Sequence, residues 1–273
     1  MIELDKHQFI SVEDFFLHKE RCIPALSVIH SHYPGRVFVD RVDHPNLALV
    51  WATGRWMYLE GEVSLTPHQR TVQNFIHDIV IPDCRQREAH WFEIYTADQA
   101  QFDELFAEDG ASYRVAKHYE SVYTLDVEAF RTAQEQKELI LEKMSRDGVE
   151  VKLAEVPILP ASFHGFAYVS PEHKTAVSTA LQLVQEDRIL TVCRNNGFIC
   201  QNHYFIDVDT YETEHRGKGF ATLAAMELID YMLGQGMYPL WETTHQNTAS
   251  HRLATKLGFK AIDHYPVYAF NIE

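Results

Sequence analysis

Residues 216–222 read Arg-Gly-Lys-Gly-Phe-Ala-Thr and sit between a strand pattern and an apolar-periodic helix. A glycine-bearing loop that opens a helix collects backbone N–H groups and the positive end of the helix dipole at one point, which cradles an anion. Glycine lets a ligand oxygen approach the backbone closely, and Arg216 and Lys218 add positive charge. No Lys-Ser or Lys-Thr follows the second glycine, so this is not a Walker loop. A third glycine at dinucleotide spacing is also missing. The other reading of the same residues is a glycine-rich turn that only starts a helix. Proton chemistry has its own candidates nearby. Asp207, Asp209, Glu212 and Glu242 are carboxylates suited to a general base, and each is equally readable as a solvated or paired side chain. Asp207 and Asp209 share one strand face by the period of two.

The elements around these residues are legible as patterns. Phe205–Asp209 reads as strand, and Phe220, Leu223, Ala224, Leu228 and Met232 recur at helical spacing until Gly234 and Gly236 stop the helix. Residues 238–244 read as strand, 248–257 as helix and 259–271 as strand or hairpin. Asn247 stands where a helix N-cap belongs. Further upstream, the pattern predicts a helix over 12–30 behind Ser11, strands over 36–63, and a hairpin turning at Ala52-Thr53-Gly54-Arg55. It then predicts a helix from Thr66-Pro67 to about Val80, a strand over 91–95, a helix over 98–106 and a strand over 113–125. A polar helical run covers 128–146 and ends at Asp147-Gly148. Residues 171–185 read as helix, and Arg194-Asn195-Asn196-Gly197 reads as a hairpin turn between strands 189–192 and 198–208.

The chain has 273 residues, 24 basic and 39 acidic side chains and a net charge of −15. That balance argues against a polyanion partner, because phosphate contacts need clustered Lys and Arg, so nucleic acid is not expected. Acidity suits a cationic substrate, and it is also ordinary solubility chemistry. No stretch approaches the roughly 18 apolar residues that span a bilayer, so no membrane partner is expected. Met1-Ile2-Glu3-Leu4-Asp5-Lys6 has no apolar core, so a leader is not expected. Cys22, Cys84, Cys193 and Cys200 do not form a disulfide framework and fit a reducing cytoplasm. Cys193, Cys200 and His203 lack a fourth ligand, so no metal site is expected.

The two halves repeat the order of their elements. His118-Tyr119-Glu120-Ser121-Val122-Tyr123 resembles His264-Tyr265-Pro266-Val267-Tyr268 at an offset of 146, the turn glycines Gly54 and Gly197 are 143 apart, and the helix starts at Pro67 and about Lys218 are 151 apart, a drift that loop insertions in a duplication would give. The reading divides the chain into 1–130 and 131–273. The first-half counterpart of the glycine loop, residues 64–70, is Ser-Leu-Thr-Pro-His-Gln-Arg and has no glycine, so the anion cradle is not expected there.

Taken in order, Arg216-x-x-Gly219-x-Ala221, the helix, the strand 240–244, Asn247-x-x-Ser250 and Lys256-Leu257-Gly258-Phe259 resemble the GNAT superfamily of acetyl-CoA-dependent N-acetyltransferases. The resemblance covers about residues 185–270. With Tyr238-Pro239-Leu240-Trp241 it is similar, more narrowly, to the zwittermicin A resistance branch. It implies a mixed α+β/α-β fold of two tandem GNAT-like halves, the first degenerate and the second a GNAT fold around a central mixed sheet. It implies acetyl-CoA as co-substrate. Arg216, Gly217, Lys218, Gly219, Phe220, Ala221 and Thr222 would hold its pyrophosphate, the strand edge at Val208 and Thr210 its pantetheine arm, and Asn247 either the arm or the strand splay. Phe220, Leu223 and Leu253 are also plain core candidates. A backbone N–H near 208–210 would serve the developing oxyanion. For the chemical step the candidates are Glu242 and Asp209 as bases and Tyr265, on the last strand, as acid. The family's acid tyrosine position is Ala254 here, which leaves the acid open among Tyr265, Tyr268, His264 or none. The activity implied is acetyl transfer to a primary amine of a small molecule. Two alternatives stand beside it: a sensor that binds acetyl-CoA without turnover, and a protein N-acetyltransferase. The resemblance also leaves room for a homodimer in the cytoplasm.

Overall fold

A computed structural model describes residues 1–63, 66–97, 99–107 and 113–272. The chain forms two compact units. The first comprises Met1–Glu120, Gly165–Ser170 and His264–Glu273, and the second Ser121–His164 and Pro171–Asp263.

In the first unit, β1 (Ile2–Glu3), β2 (Gly35–Val39), β3 (Leu47–Ala52) and β4 (Met57–Gly61) form an antiparallel run, with α1 (Ile23–Ile29) after the N-terminal segment. The expected turn at Ala52–Arg55 joins β3 to β4, with Trp51 opposite Met57. Next come α2 (Thr66–Phe75), a wide turn Ile76–Val80 and α3 (Ile81–Gln86), which lead to β5 (Trp91–Thr96). β5 lies parallel to β4, with Tyr58 opposite Tyr95. α4 (Ala100–Leu105) precedes β6 (Tyr113–Leu125), and the end of β12 (Phe259–Ile272) pairs antiparallel with β5. Ser64 and Leu65 of the 64–70 segment, and Asp98 at the start of the helix expected over 98–106, lie outside the described residues.

The second unit is built on β7 (Glu150–Pro157), β8 (Val177–Gln185), β9 (Arg188–Cys200) and β10 (His203–Thr210) in antiparallel order, with β11 (Tyr238–Thr244) parallel to β10. The last residues of β6 lie beside β11. Around this sheet are α5 (Val127–Ala133), α6 (Lys137–Arg146), α7 (Pro171–Thr175), α8 (Phe220–Gly234) and α9 (Thr248–Lys256). α8 buries Phe220, Leu223, Ala224, Ala225, Met226, Leu228, Ile229 and Met232. A helix apolar nearly all round must be covered on more than one side. Here Tyr204 and Ile206 of β10, Trp241 of β11 and Phe130 and Met144 of α5 and α6 share its core. Each large apolar side chain so buried contributes about 1.5–3 kcal/mol.

Three elements differ from the sequence pattern. The helix expected over 12–30 is a tight 3-10 segment Lys6–Phe15 followed by α1, because His18 takes a left-handed φ of 60° and Pro24 restarts the helix. The helix expected over 171–185 is only α7, and β8 follows. Val177, Thr179 and Val184 suit a pleated strand, and β8 is paired on both edges. The hairpin expected at Arg194–Gly197 is not a turn. β9 runs through it and reverses at Gln201, which carries a φ of 53°. Asn195 and Asn196 are buried, and their side-chain oxygens accept hydrogen bonds from Gly197 N at 2.9 Å and Phe198 N at 3.1 Å. The register jumps from Tyr204↔Ile199 to Ile206↔Asn195, so extra residues on β9 bulge opposite Phe205.

Candidate active site

The site begins where two parallel strands part. β10 and β11 are in register at His203↔Tyr238, Tyr204↔Pro239 and Phe205↔Leu240, and the register ends there. From Ile206 to Thr210, β10 pairs with β9, opposite Asn195 to Thr191, and among the described residues its ladder with β11 does not continue. A wedge opens toward Thr210 and Thr244, and its β10 wall is a strand edge able to take an extended, amide-bearing chain as another strand would. Val208 stands opposite Cys193 and Thr210 opposite Thr191, with the Thr191 and Thr210 hydroxyls 3.0 Å apart.

The chain leaves Thr210 through residues 211–219 and enters α8. Gly219 is the N-cap with a φ of 95°, and Gly217 has a φ of 72°. Both angles lie in the left-handed region that favours glycine. The first helical bond runs from Leu223 N to the Gly219 carbonyl at 3.0 Å, so the N–H groups of Phe220, Ala221 and Thr222 precede the hydrogen-bonded turns. Arg216, Gly217 and Lys218 are exposed. A Cβ on Gly217 would meet nothing within 4 Å, whereas one on Gly219 would meet Ile140 and Met144 of α6 at 3.6 and 3.7 Å. The loop therefore has one face toward solvent at Gly217 and its back on α6. Arg216 Nε donates to the Thr210 carbonyl at 3.4 Å, which ties the loop to the end of β10. The neighbouring acids are offset: Glu212 pairs with Arg188, and His215 Nε2 lies 3.5 Å from Glu212 and 3.4 Å from Glu214.

The carboxylates flank the wedge on one face. Trp241 packs in the α8 core and donates from Nε1 to Ser250 Oγ on α9 at 2.9 Å. By alternation Glu242 points to the opposite face. On β10, Tyr204 and Ile206 belong to the α8 core, so Asp207 and Asp209 also face away from it. Asp207 is 3.5 Å from Arg194. Glu242 and Asp209 thus stand on one face of the sheet, on the two strands that diverge.

Asn247 caps α9, accepting from Ser250 N at 3.1 Å. Ala254 is fully buried in the α8 core. Gly258 carries a φ of 89°, and a Cβ there would lie 2.6 Å from Phe130 N, so the glycine of Lys-Leu-Gly-Phe is required by the close approach of α5. Phe220 and Leu223 are core; Leu253 packs against that core. Tyr265 belongs to the first unit, 1% exposed, with the Tyr95 ring 5.8 Å away and the Arg21 guanidinium 5.4 Å above its own. All four cysteines are buried, and none of them forms a disulfide.

Sequence reasoning missed one pair. Tyr123, near the end of β6, places its hydroxyl 2.5 Å from Nδ1 of His251 on α9. His251 Nε2 lies 3.1 Å from the Thr244 carbonyl and 3.2 Å from that of His245. Carbonyls only accept, so Nε2 carries the proton and Nδ1 accepts from the Tyr123 hydroxyl. Burial pushes the Tyr123 phenol above its ordinary pKa, so it stays protonated at neutral pH. The two residues are 128 positions apart, and no local spacing signals their meeting.

The model of the GNAT acetyltransferase family matches residues 14–268. An N-acetyltransferase of Bacillus subtilis strain 168, YdfB, named as uncharacterized, is 20% identical over 270 residues, 97% of each chain. The crystal structure of a GCN5-related N-acetyltransferase-like protein from Streptococcus suis 89/1591 superposes with a TM-score of 0.65 at 17% identity, covering 97% of this chain and 99% of that one. The chain belongs to the GNAT acetyltransferase family, a family of acyltransferases. No helix among the described residues is long and apolar enough to cross a membrane.

Proposed function

We propose that the protein transfers an acetyl group from acetyl-CoA to a primary amine of a small molecule. The observation that carries this reading is the wedge between β10 and β11, which opens toward the glycine loop and N-terminus of a 15-residue helix. A strand-like pantetheine arm fits the free edge at Val208 and Thr210, and a pyrophosphate fits the N–H groups of 217–222 with Arg216 and Lys218 beside them. Asn247 spends its oxygen on the α9 cap, so its amide N–H is the group that would meet the arm.

The reaction needs a free amine, a donor for the carbonyl oxygen and an exit for the thiolate. An alkyl ammonium has a pKa near 10.4, so a base must take a proton before attack. Glu242 is the base in this reading, directly or through a water, and Asp209 across the wedge draws the cation. A backbone N–H of 208–210 faces the oxyanion. Tyr265 receives no proton-transfer role, because its ring is packed between Tyr95 and Arg21.

The same reading takes the chain as two tandem GNAT-like halves, 1–130 and 131–273, in the manner of the zwittermicin A resistance branch. Its support is the shared connectivity: an antiparallel run, a strand, a helical crossover to a parallel partner, a helix and a last strand occur in each half. In the first half the helix after β4 starts at Thr66-Pro67 without a glycine loop, so one acetyl-CoA binds per chain. The test is calorimetry with acetyl-CoA, followed by mass spectrometry of amines incubated with both. Binding with a stoichiometry near one and a mass gain of one acetyl group on an amine support the reading. Binding without any acetylated product supports the sensor, and product only on peptides supports the protein acetyltransferase.

A further inference from the structure

We propose that the acceptor is an amino acid acetylated at an amine remote from its carboxylate, and that Arg194 and Asn196 of β9 hold the carboxylate. This deepens the acetyl-transfer reading above and rests on it. Asp207 lies on the β10 wall of the wedge, two residues past the last rung that β10 shares with β11. Arg194 stands directly opposite it on β9, and its guanidinium comes within 3.5 Å of the Asp207 carboxylate. That contact places Arg194 beside the wall of the wedge, on the face that carries Asp209 and Glu242. A guanidinium offers five N–H donors in a flat fork. The Arg194 side chain is 33% exposed, and among the described residues the ion pair with Asp207 is the contact it makes. Asn196 adds a second donor. It is the first of the residues 196–198 that bulge opposite Phe205, at the floor of the wedge. By alternation it follows Arg194 on the same face. It is 4% exposed, and its side-chain oxygen accepts from Phe198 N at 3.1 Å. Among the described residues nothing accepts from its amide N–H2. A buried amide donor without an acceptor is costly, and a ligand oxygen removes that cost.

The chemistry of the two groups selects the ligand. Both only donate, so the group they hold only accepts, and a flat carboxylate matches the guanidinium fork. A doubly charged phosphate fits less well, because Asp207, Asp209 and Glu242 share this face and repel it. The same carboxylates outnumber Arg194, so the other end of the ligand is an ammonium, which is the amine that Glu242 serves. Spacing sets the length. Arg194 is on β9 and Glu242 on β11, with β10 between them. Each step between neighbouring strands is about 4.8 Å, and the wedge widens the second step. A ligand that touches both ends therefore keeps its charges further apart than glycine can. The transfer itself is unchanged. The nitrogen gains the acetyl group, CoA leaves as its thiol, one proton passes through Glu242 to solvent, and the ligand carboxylate takes no part.

The experiment uses the full chain with acetyl-CoA and glycine, 5-aminovalerate, L-lysine, pentylamine and 5-aminovaleramide, the last having the shape of 5-aminovalerate without its charge. The wild type should prefer 5-aminovalerate over 5-aminovaleramide by about 10- to 100-fold in kcat/KM, mostly through KM. It should also prefer 5-aminovalerate and the side-chain amine of L-lysine over glycine. Arg194→Gln should abolish the preference for the acid over the amide, and Arg194→Lys should restore part of it, since an ammonium keeps the charge without the fork. Asn196→Asp keeps the oxygen that Phe198 N needs and exchanges the amide donor for a second oxygen, so it should lower the preference as well. If Arg194 only neutralises Asp207, Arg194→Gln lowers Tm and leaves the preference intact, which overturns the proposal. Should the variants fail to fold, the wild type still decides: equal kcat/KM for the acid and its amide overturns the proposal and leaves the transfer reading standing. A wild type that binds acetyl-CoA and acetylates none of the amines overturns both.

Discussion

Replacing Gly217 by Asp and by Asn isolates the charge at the glycine loop. Gly217 is exposed, has a φ of 72°, and a Cβ there meets nothing within 4 Å. Asn and Asp are the side chains that best tolerate this backbone region, and they are nearly the same size. Backbone strain and bulk therefore cancel between the two variants, and one negative charge remains as the difference. Gly219 is the poorer choice, because its Cβ direction leads into Ile140 and Met144 rather than toward a ligand. A carboxylate about 4 Å from a phosphate oxygen costs about 1 kcal/mol in bulk-water dielectric and about 4 kcal/mol at an effective dielectric of 20. The position is exposed and salt screens it, so the lower part of that range applies, about 1–2 kcal/mol. Calorimetry should give Gly217→Asp an acetyl-CoA affinity roughly five- to thirtyfold below that of Gly217→Asn. The gap should narrow in high salt, where the Debye length is only about 3 Å at 1 M. Equal affinities in the two variants at low salt would refute the placement of the pyrophosphate at this loop.

Three further outcomes are expected. Glu242→Gln should lower kcat at neutral pH by roughly 10²–10⁴-fold, with partial recovery as pH rises and free amine accumulates; a lowered Tm with unchanged kcat and pH profile would make Glu242 a strand-holding residue instead. His68→Ala and Arg70→Ala in the first half should leave acetyl-CoA affinity and the stoichiometry of one unchanged, and a crystal with two CoA molecules per chain would contradict this. Asn247→Ala should cost about 1 kcal/mol of stability through the lost bond to Ser250 N, whereas Asn247→Ser should keep the cap and the Tm. If the Asn247 amide also meets the pantetheine arm, the Ser variant binds acetyl-CoA more weakly despite its intact helix, and equal affinity removes that contact.

The parts of this molecule that were legible in the sequence are those where local preference and packing agree. The glycine loop, α8, β11, α9 and β12 fall where periodicity and caps put them, because Phe220, Leu223 and Leu228 face a core and Asn247 does cap. β8 was illegible as a strand because its residues, such as Ala180, Leu181 and Leu183, fit either period; two flanking ladders decide it, and they lie outside the window a pattern can see. The pair Tyr123 and His251 was invisible for the same reason in stronger form, since β6 reaches that corner only through the topology of the sheet.

The misread Asn195-Asn196-Gly197 is the most informative of these failures. Asn-Gly ordinarily reverses a hairpin because both residues accept positive φ. Here only Gly197 does, at 96°, and the two asparagine oxygens satisfy the backbone N–H groups of Gly197 and Phe198 inside a continuing strand. The same chemistry that would turn a chain instead inserts residues into one strand of a pair. A bulge bends its strand and increases the local twist. This one lies opposite Phe205, and Phe205↔Leu240 is the last rung between β10 and β11. The bulge therefore acts at the height where β10 must leave its parallel neighbour for the wedge to open. Local rules tend to break where the backbone is irregular, and the signal that reads as a turn sits at the height where the two parallel strands stop pairing.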